Sequence, residues 1–172
     1  MKKTIIDREK LKELVLDCIT TKELNEKYDY SGITDMHNLF WGCNSLRTIP
    51  KLNTENVTDM KGMFWGCTSL KTIPLLNTSN VTIMNGMFQG CTSLKTIPKL
   101  DTSNVTDMNG MFHECNSLKT IPLLNTSNVT DMNGMFHGCK KLTDINPHNY
   151  MLFNWNSLDN EYLQKKYPEV FV

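Results

Sequence analysis

The sequence predicts an α/β solenoid, a curved stack of five 24-residue helix-turn-strand units closed by a different segment at each end. Three observations predict it. Cysteine recurs at a fixed interval of 24, at Cys43, Cys67, Cys91, Cys115 and Cys139. The stretches around these cysteines are near copies, from ITDMHNLFWGCNSLRTIPKL at Ile33 to VTDMNGMFHGCKKLTDINPH at Val129. The segments before and after them share none of this pattern. Self-similarity at a fixed period marks a solenoid, because each copy carries an apolar face that only a neighbouring copy can cover.

Residues 1–32 are expected to cap the front, with a helix over about 7–20. Leu11, Leu14, Val15, Cys18 and Ile19 fall on one helical stripe, and Thr4 and Asp7 are spaced as a start signal. The repeats then run over 33–145. Within one unit, Val57, Met60, Phe64 and Cys67 lie at i, i+3, i+7 and i+10, with Met63 beside them, which predicts a short amphipathic helix. Asn56 and Asp59 suit its start and Gly66 its stop. Gly62, Gly86, Gly110 and Gly134 would then sit mid-helix, where a missing side chain lets neighbouring helices approach. The following TSLKTIP, with Leu70 and Ile73 between Gly66 and Pro74, predicts a short strand. Strands stack at ~4.8 Å and helices at ~8–10 Å, so the array should curve with the strands inside. The column Asn53, Asn77, Asp101 and Asn125 admits two roles, a ladder of amides along the loops or simple turn formation. Residues 146–172 are expected to cap the back, with a short helix over about 158–167 and Phe153, Trp155 and Phe171 beneath it.

The length of 172 residues is enough to bury a core without metal or disulfide help. Eighteen basic and eighteen acidic residues cancel, so no overall field draws the chain to nucleic acid or membrane. The evenly spaced cysteines point the same way in successive units, a poor geometry for bridging, and are read as reduced core residues. No stretch approaches the ~20 apolar residues needed to span a bilayer. The charged run Asp7–Lys10 stands where a signal peptide needs apolar residues, so a cytoplasmic chain is expected, a surface location being the alternative where a secretion signal has been removed.

The motif NTSNVTDMNGMFHGCKKL, with its Met, Met-Phe, Cys and Leu spacing, resembles the BspA-like leucine-rich-repeat proteins, specifically the short repeat of mycoplasma lipoproteins. The resemblance covers about Ile33 to Ile145. It implies a leucine-rich-repeat-like solenoid, commonly on bacterial surfaces, in adhesion or protein binding. The chain departs from the general pattern at one corner, since Leu76 and Asn77 follow Ile73 at three and four residues rather than two and five. A lipoprotein signal and lipid-bearing cysteine are also missing from the sequence as given.

No catalytic constellation is visible, and no cofactor or metal site is expected. His113 and His137 share one repeat position, but no third ligand has suitable spacing. The candidate binding residues lie in columns. Arg47, Lys71, Lys95 and Lys119 occupy one strand position with Lys51 and Lys99 nearby, a basic stripe along the inner sheet. Asp35, Asp59, Asp107 and Asp131 form an acidic column at the helix starts. Like charges ~5 Å apart in water repel by under ~1 kcal/mol, so both columns are also tolerable as plain solvated faces carried along by the repetition. Trp41 and Trp65 form a second candidate surface, the alternative being that they pack against the front cap. The expected function is a non-enzymatic protein-protein interaction module using the curved strand face and its basic stripe. Nucleic acid is the less favoured partner, since no aromatic residues interleave the stripe for base stacking. A small phage or mobile-element inhibitor of a nucleoprotein complex, and a surface adhesin or structural fragment, are the alternatives.

Overall fold

The computed structural model describes residues 2–143 and Lys165. The expected back cap therefore lies outside the described residues, apart from Lys165, which is helical. At the front, β1 (Thr4–Ile5), α1 (Arg8–Leu16), α2 (Thr21–Lys27) and β2 (Tyr28–Asp29) follow in order, and β1 pairs with β2 in parallel. Asp7 caps α1 by accepting the Lys10 N–H at 2.9 Å, and Thr20 caps α2 through the Glu23 N–H at 3.2 Å. One helix over 7–20 was expected. The chain instead turns at Cys18, whose φ of 62° is left-handed, and starts again at Thr20. Leu11, Val15 and Leu24 are buried against the first coil. Arg8 reaches across to donate to the His37 carbonyl, while the His37 ring lies 2.7 Å from Asp35. Tyr30 ties this region to the first loop, donating to Asn25 at 3.0 Å and accepting the Asn53 N–H at 3.1 Å.

Beyond β2 the described chain is a solenoid, and its ladder runs Asp35, Asp59, Ile83, Asp107, Asp131 in parallel bridges. The helix-turn-strand unit is corrected here. Where a helix was expected in each coil there is a chain of linked turns. Met63, Trp65 and Cys67 donate to the carbonyls three residues back, at 3.2, 2.9 and 3.0 Å. The alternate N–H groups leave the coil: Met60, Gly62, Phe64 and Gly66 donate to Ile83, Asn85, Met87 and Gln89 of the next coil at 2.7–3.0 Å. The physical reason is the pair of left-handed residues four apart in each coil, such as Gly62 at φ 56° and Gly66 at φ 74°. A turn closed from i to i+3 with positive φ at i+2 favours glycine or asparagine there, and an α-helix does not pass through such residues. Glycine therefore serves the turn rather than helix-helix approach.

The strand expected at Leu70–Ile73 is also reduced. Lys71 donates to Arg47 and Lys119 to Lys95, both at 3.0 Å, but no continuous strand forms, since Pro74 and its equivalents have no N–H to offer. With no helices in the described repeats, the expected mismatch between helix and strand spacing, and the curvature argued from it, lose their basis.

Identical side chains stack through the interior. Phe40, Phe64, Phe88, Phe112 and Phe136 form one column with ring centroids 5.5–5.6 Å apart. Met, Val, Leu and Ile columns surround it. Polar groups stitch the loops in both directions. Thr54, Thr78 and Thr102, all buried, donate their hydroxyls to Asn77, Asp101 and Asn125 carbonyls of the following coil at 2.8–2.9 Å. Asn56, Asn80, Asn104 and Asn128 donate their amides to the preceding coil at 2.6–2.9 Å. Asn56 is thus a cross-coil clamp and not a helix cap. The Asn53 column resolves as turn formers, each side-chain oxygen accepting the N–H two residues on.

The cysteine column has a defined bonding role. Cys67, Cys91, Cys115 and Cys139 donate their thiols to the Phe40, Phe64, Phe88 and Phe112 carbonyls of the preceding coil at 3.0–3.1 Å. Burial pushes the Cys67 thiol up to about 12, and raises Cys91 and Cys115 as well. All six cysteines are free; Cys18 is exposed and Cys43 half-buried. Timed alkylation of the native protein at pH 8 should therefore label Cys18 quickly, Cys43 more slowly, and the four buried thiols only after denaturation. Mass spectrometry of each peptide reads this out, and rapid native labelling of Cys91 is the result that contradicts it.

Candidate functional site

Three columns of side chains reach solvent from the coils. The first is the basic one. Arg47, Lys71, Lys95 and Lys119 are all exposed at equivalent positions, where Lys71 is bonded through its backbone to Arg47 and Lys119 to Lys95. Neither these four nor Lys51 and Lys99 form a salt bridge with a described residue.

Four residues further along each coil the chain reaches a groove of about 1280 Å³. Lys51, Leu75, Lys99 and Leu123 occupy one exposed position in successive coils and line it, over a floor of Leu52, Leu76, Leu100 and Leu124. Leu75 is 57% and Leu123 50% exposed, in the same column as the two lysines and above the leucine floor. The other wall is the polar loop, Asn53 to Ser127, with Asn25 of α2 at one end. Asp101 supplies a carboxylate to this lining, held by the Ser103 hydroxyl at 2.7 Å and backbone at 3.0 Å, contacts that lower its pKa. The structure thus separates two groups that sequence placed together: Lys51 and Lys99 line the groove, while Arg47, Lys71, Lys95 and Lys119 stand outside it. Leu75 and Leu123 went unnoticed in the sequence. Their signal was the alternation of PKL and PLL after each strand segment, since a position that tolerates lysine in every second unit must face solvent.

The third column is made of planar groups. Trp41 is 61% and Trp65 40% exposed, with ring centroids 6.2 Å apart. Gln89 follows, hydrogen-bonded to His113 at 3.2 Å, and His113 stacks on His137 at 5.0 Å. The tryptophans therefore belong to a continuous column, exposed at Trp41, Trp65 and His137 and half-buried at Gln89 and His113, rather than lying under the front cap. Among the described residues no group of three or more His, Cys, Asp or Glu side chains is placed to hold a metal ion.

The acidic column is structural in its local role. Asp59, Asp107 and Asp131 accept the N–H two residues on, at 2.7–2.9 Å, and form the first turn of each coil rather than the start of a helix. At the front, Asp35 is partly buried, which works to raise its pKa, but the His37 N–H and ring and the nearby Arg8 outweigh this and hold it low. No helix among the described residues is long and apolar enough to cross a membrane.

The family described as "Mycoplasma protein of unknown function, DUF285" matches residues 9–97 and 69–165. A crystal structure of the T. pallidum leucine rich repeat protein, TpLRR, is similar at a TM-score of 0.52 and 27% identity, over 64% of this chain and 50% of that one. The chain thus spans half the length of that protein. No curated protein matches it.

Proposed function

The chain belongs to the DUF285 family of Mycoplasma proteins of unknown function, and from that footing we propose that it is a non-enzymatic protein-interaction module, a 24-residue-period stack that engages a partner through the extended face of its coils. The observation that carries this reading is the exposed column Lys51, Leu75, Lys99 and Leu123 in a groove, beside four further unpaired cations. Apolar side chains held in solvent, flanked by charge, are characteristic of surfaces that bury themselves on binding. The similarity to a leucine rich repeat protein supports a repeat module of this kind. The chemistry of the core supports binding over catalysis, since the buried thiols are held protonated and donate to backbone carbonyls.

The partner surface is acidic protein. Lining residues include no aromatic group on which nucleic-acid bases could stack. Reversing Lys71, Lys95 and Lys119 to Glu together is expected to weaken capture of the native partner at least tenfold while leaving the far-ultraviolet circular dichroism unchanged. Undiminished capture by the folded triple variant would remove the basic face from the mechanism. Binding of RNA or DNA with a steep salt dependence would move the reading to nucleic acid.

A further inference from the structure

We infer that the partner element received by the groove is an amphipathic α-helix laid along the stack axis, presenting an acidic and an apolar residue on alternate turns. This inference rests on the protein-binding reading above and gives that partner a shape. Two observations carry it, the order of side chains in the column and the spacing of the coils.

The order is Lys51, Leu75, Lys99, Leu123, cation and apolar group by turns. The spacing is bracketed by the bonded backbone ladder, ~4.8 Å per coil, and the aromatic stack, whose rings repeat every 5.5–5.6 Å, one per coil. An α-helix rises ~5.4 Å per turn, so a helix lying parallel to the stack offers close to one turn per coil. Residues at i, i+4, i+7 and i+11 fall on one stripe. The rise from i to i+7 is ~10.5 Å, close to the two-coil separation of the lysines. An extended strand repeats its same-face side chains every ~6.6–6.8 Å and loses step with the coils at once. Glu or Asp at i and i+7 would meet Lys51 and Lys99, and Leu or Ile at i+4 and i+11 would meet Leu75 and Leu123.

Charge selects the same occupant. Asp101 is the carboxylate within the lining, held by Ser103 and within electrostatic reach of Lys99, whereas Lys51 and Lys99 form no salt bridge with a described residue and four more cations stand one short extended segment away. A helix seated in an apolar groove between charged rims is an established way for proteins to meet.

The test uses the full chain and a fluorescein-labelled peptide of about fifteen residues, held helical by a side-chain link on its far face. It carries Glu at i and i+7 and Leu at i+4 and i+11, with a control of the same composition carrying Glu at i and i+4 and Leu at i+7 and i+11. Saturable anisotropy is expected for the first, and binding at least fivefold weaker for the control. Lys51→Glu with Lys99→Glu should weaken the first peptide at least tenfold, as should Leu75→Ser with Leu123→Ser, while Trp41→Ala leaves it within twofold. Equal binding of the two peptides, or indifference to both groove variants, overturns the proposal. So does binding of phosphatidylserine vesicles or single-stranded RNA at the groove when neither peptide binds. The parent reading is separated by the native partner. If neither peptide binds but partner capture is lost in the groove variants, the helix is wrong and the protein-binding groove stands; if capture survives there and in the Lys71, Lys95, Lys119 reversal, both fail.

Discussion

Replacing Phe88 with alanine is expected to destabilise the chain by about 3–5 kcal/mol, the range found when a fully buried phenylalanine leaves a cavity that its surroundings cannot close. The site is unfavourable for collapse. Phe88 is wholly buried and lies between Phe64 at 5.5 Å and Phe112 at 5.6 Å, both nearly parallel to it. Its backbone is fixed as well, since its N–H donates to Met111 and its carbonyl accepts both the Cys91 N–H and the Cys115 thiol. Neither neighbour can move inward without breaking cross-coil bonds. Stability in a stacked array is close to a sum of unit and interface terms, so a central gap weakens two interfaces together and should broaden the unfolding transition as well as lower its midpoint. Urea denaturation followed by circular dichroism measures both. Trp41→Ala is the control: its ring is 61% exposed, and a loss of under about 1 kcal/mol is expected. Comparable losses for the two would mean that the aromatic stack does not bear the core.

The second large effect is expected at a glycine. Gly134 and Gly138 both have left-handed backbone, φ 62° and 76°, where any L side chain costs about 1–2 kcal/mol. They differ in space. A Cβ on Gly134 meets no described residue within 4 Å, whereas one on Gly138 comes to 3.1 Å from the Glu114 Cα and 3.3 Å from its N. That neighbour is backbone in a bonded ladder, Glu114 donating to His137 at 2.7 Å, and cannot swing aside. Gly134→Ala should therefore cost only the conformational 1–2 kcal/mol, and Gly138→Ala roughly 2–4 kcal/mol once overpacking is added. Equal losses would show that coil-to-coil approach is looser than 3.1 Å; no loss at either would contradict the turn geometry itself.

Both arguments expose what the sequence could and could not say. The stack and its core columns were legible because identical apolar residues 24 apart leave few alternatives to stacking. The form of the coil was misread for a definite reason. Linked turns bonded from i to i+3 place Val57, Met60, Phe64 and Cys67 on one side, much as an α-helix does, so periodicity alone cannot separate them. The separating signal was present in Gly62 and Gly66. Two glycines four apart in successive units are hard to reconcile with a helix yet suit two left-handed turn positions. Asn38 and Glu114 fill those positions where glycine is absent, and asparagine is the milder substitute. The candidate site was half legible. Its cations stood out as columns, but which of them share a groove depends on how the chain bends after Pro74, and no local pattern encodes that bend.

The interior and the groove keep different periods. Among the described residues the cross-coil bonds join neighbouring units, so recombination that adds or removes a single unit leaves the ladder closed. The order of Lys51, Leu75, Lys99 and Leu123 returns only after 48 residues, and the same single-unit event puts every later position of that column on the wrong chemistry. If a partner reads that column, changes in array length that retain it must come in even numbers, a constraint imposed by the surface on a core indifferent to it.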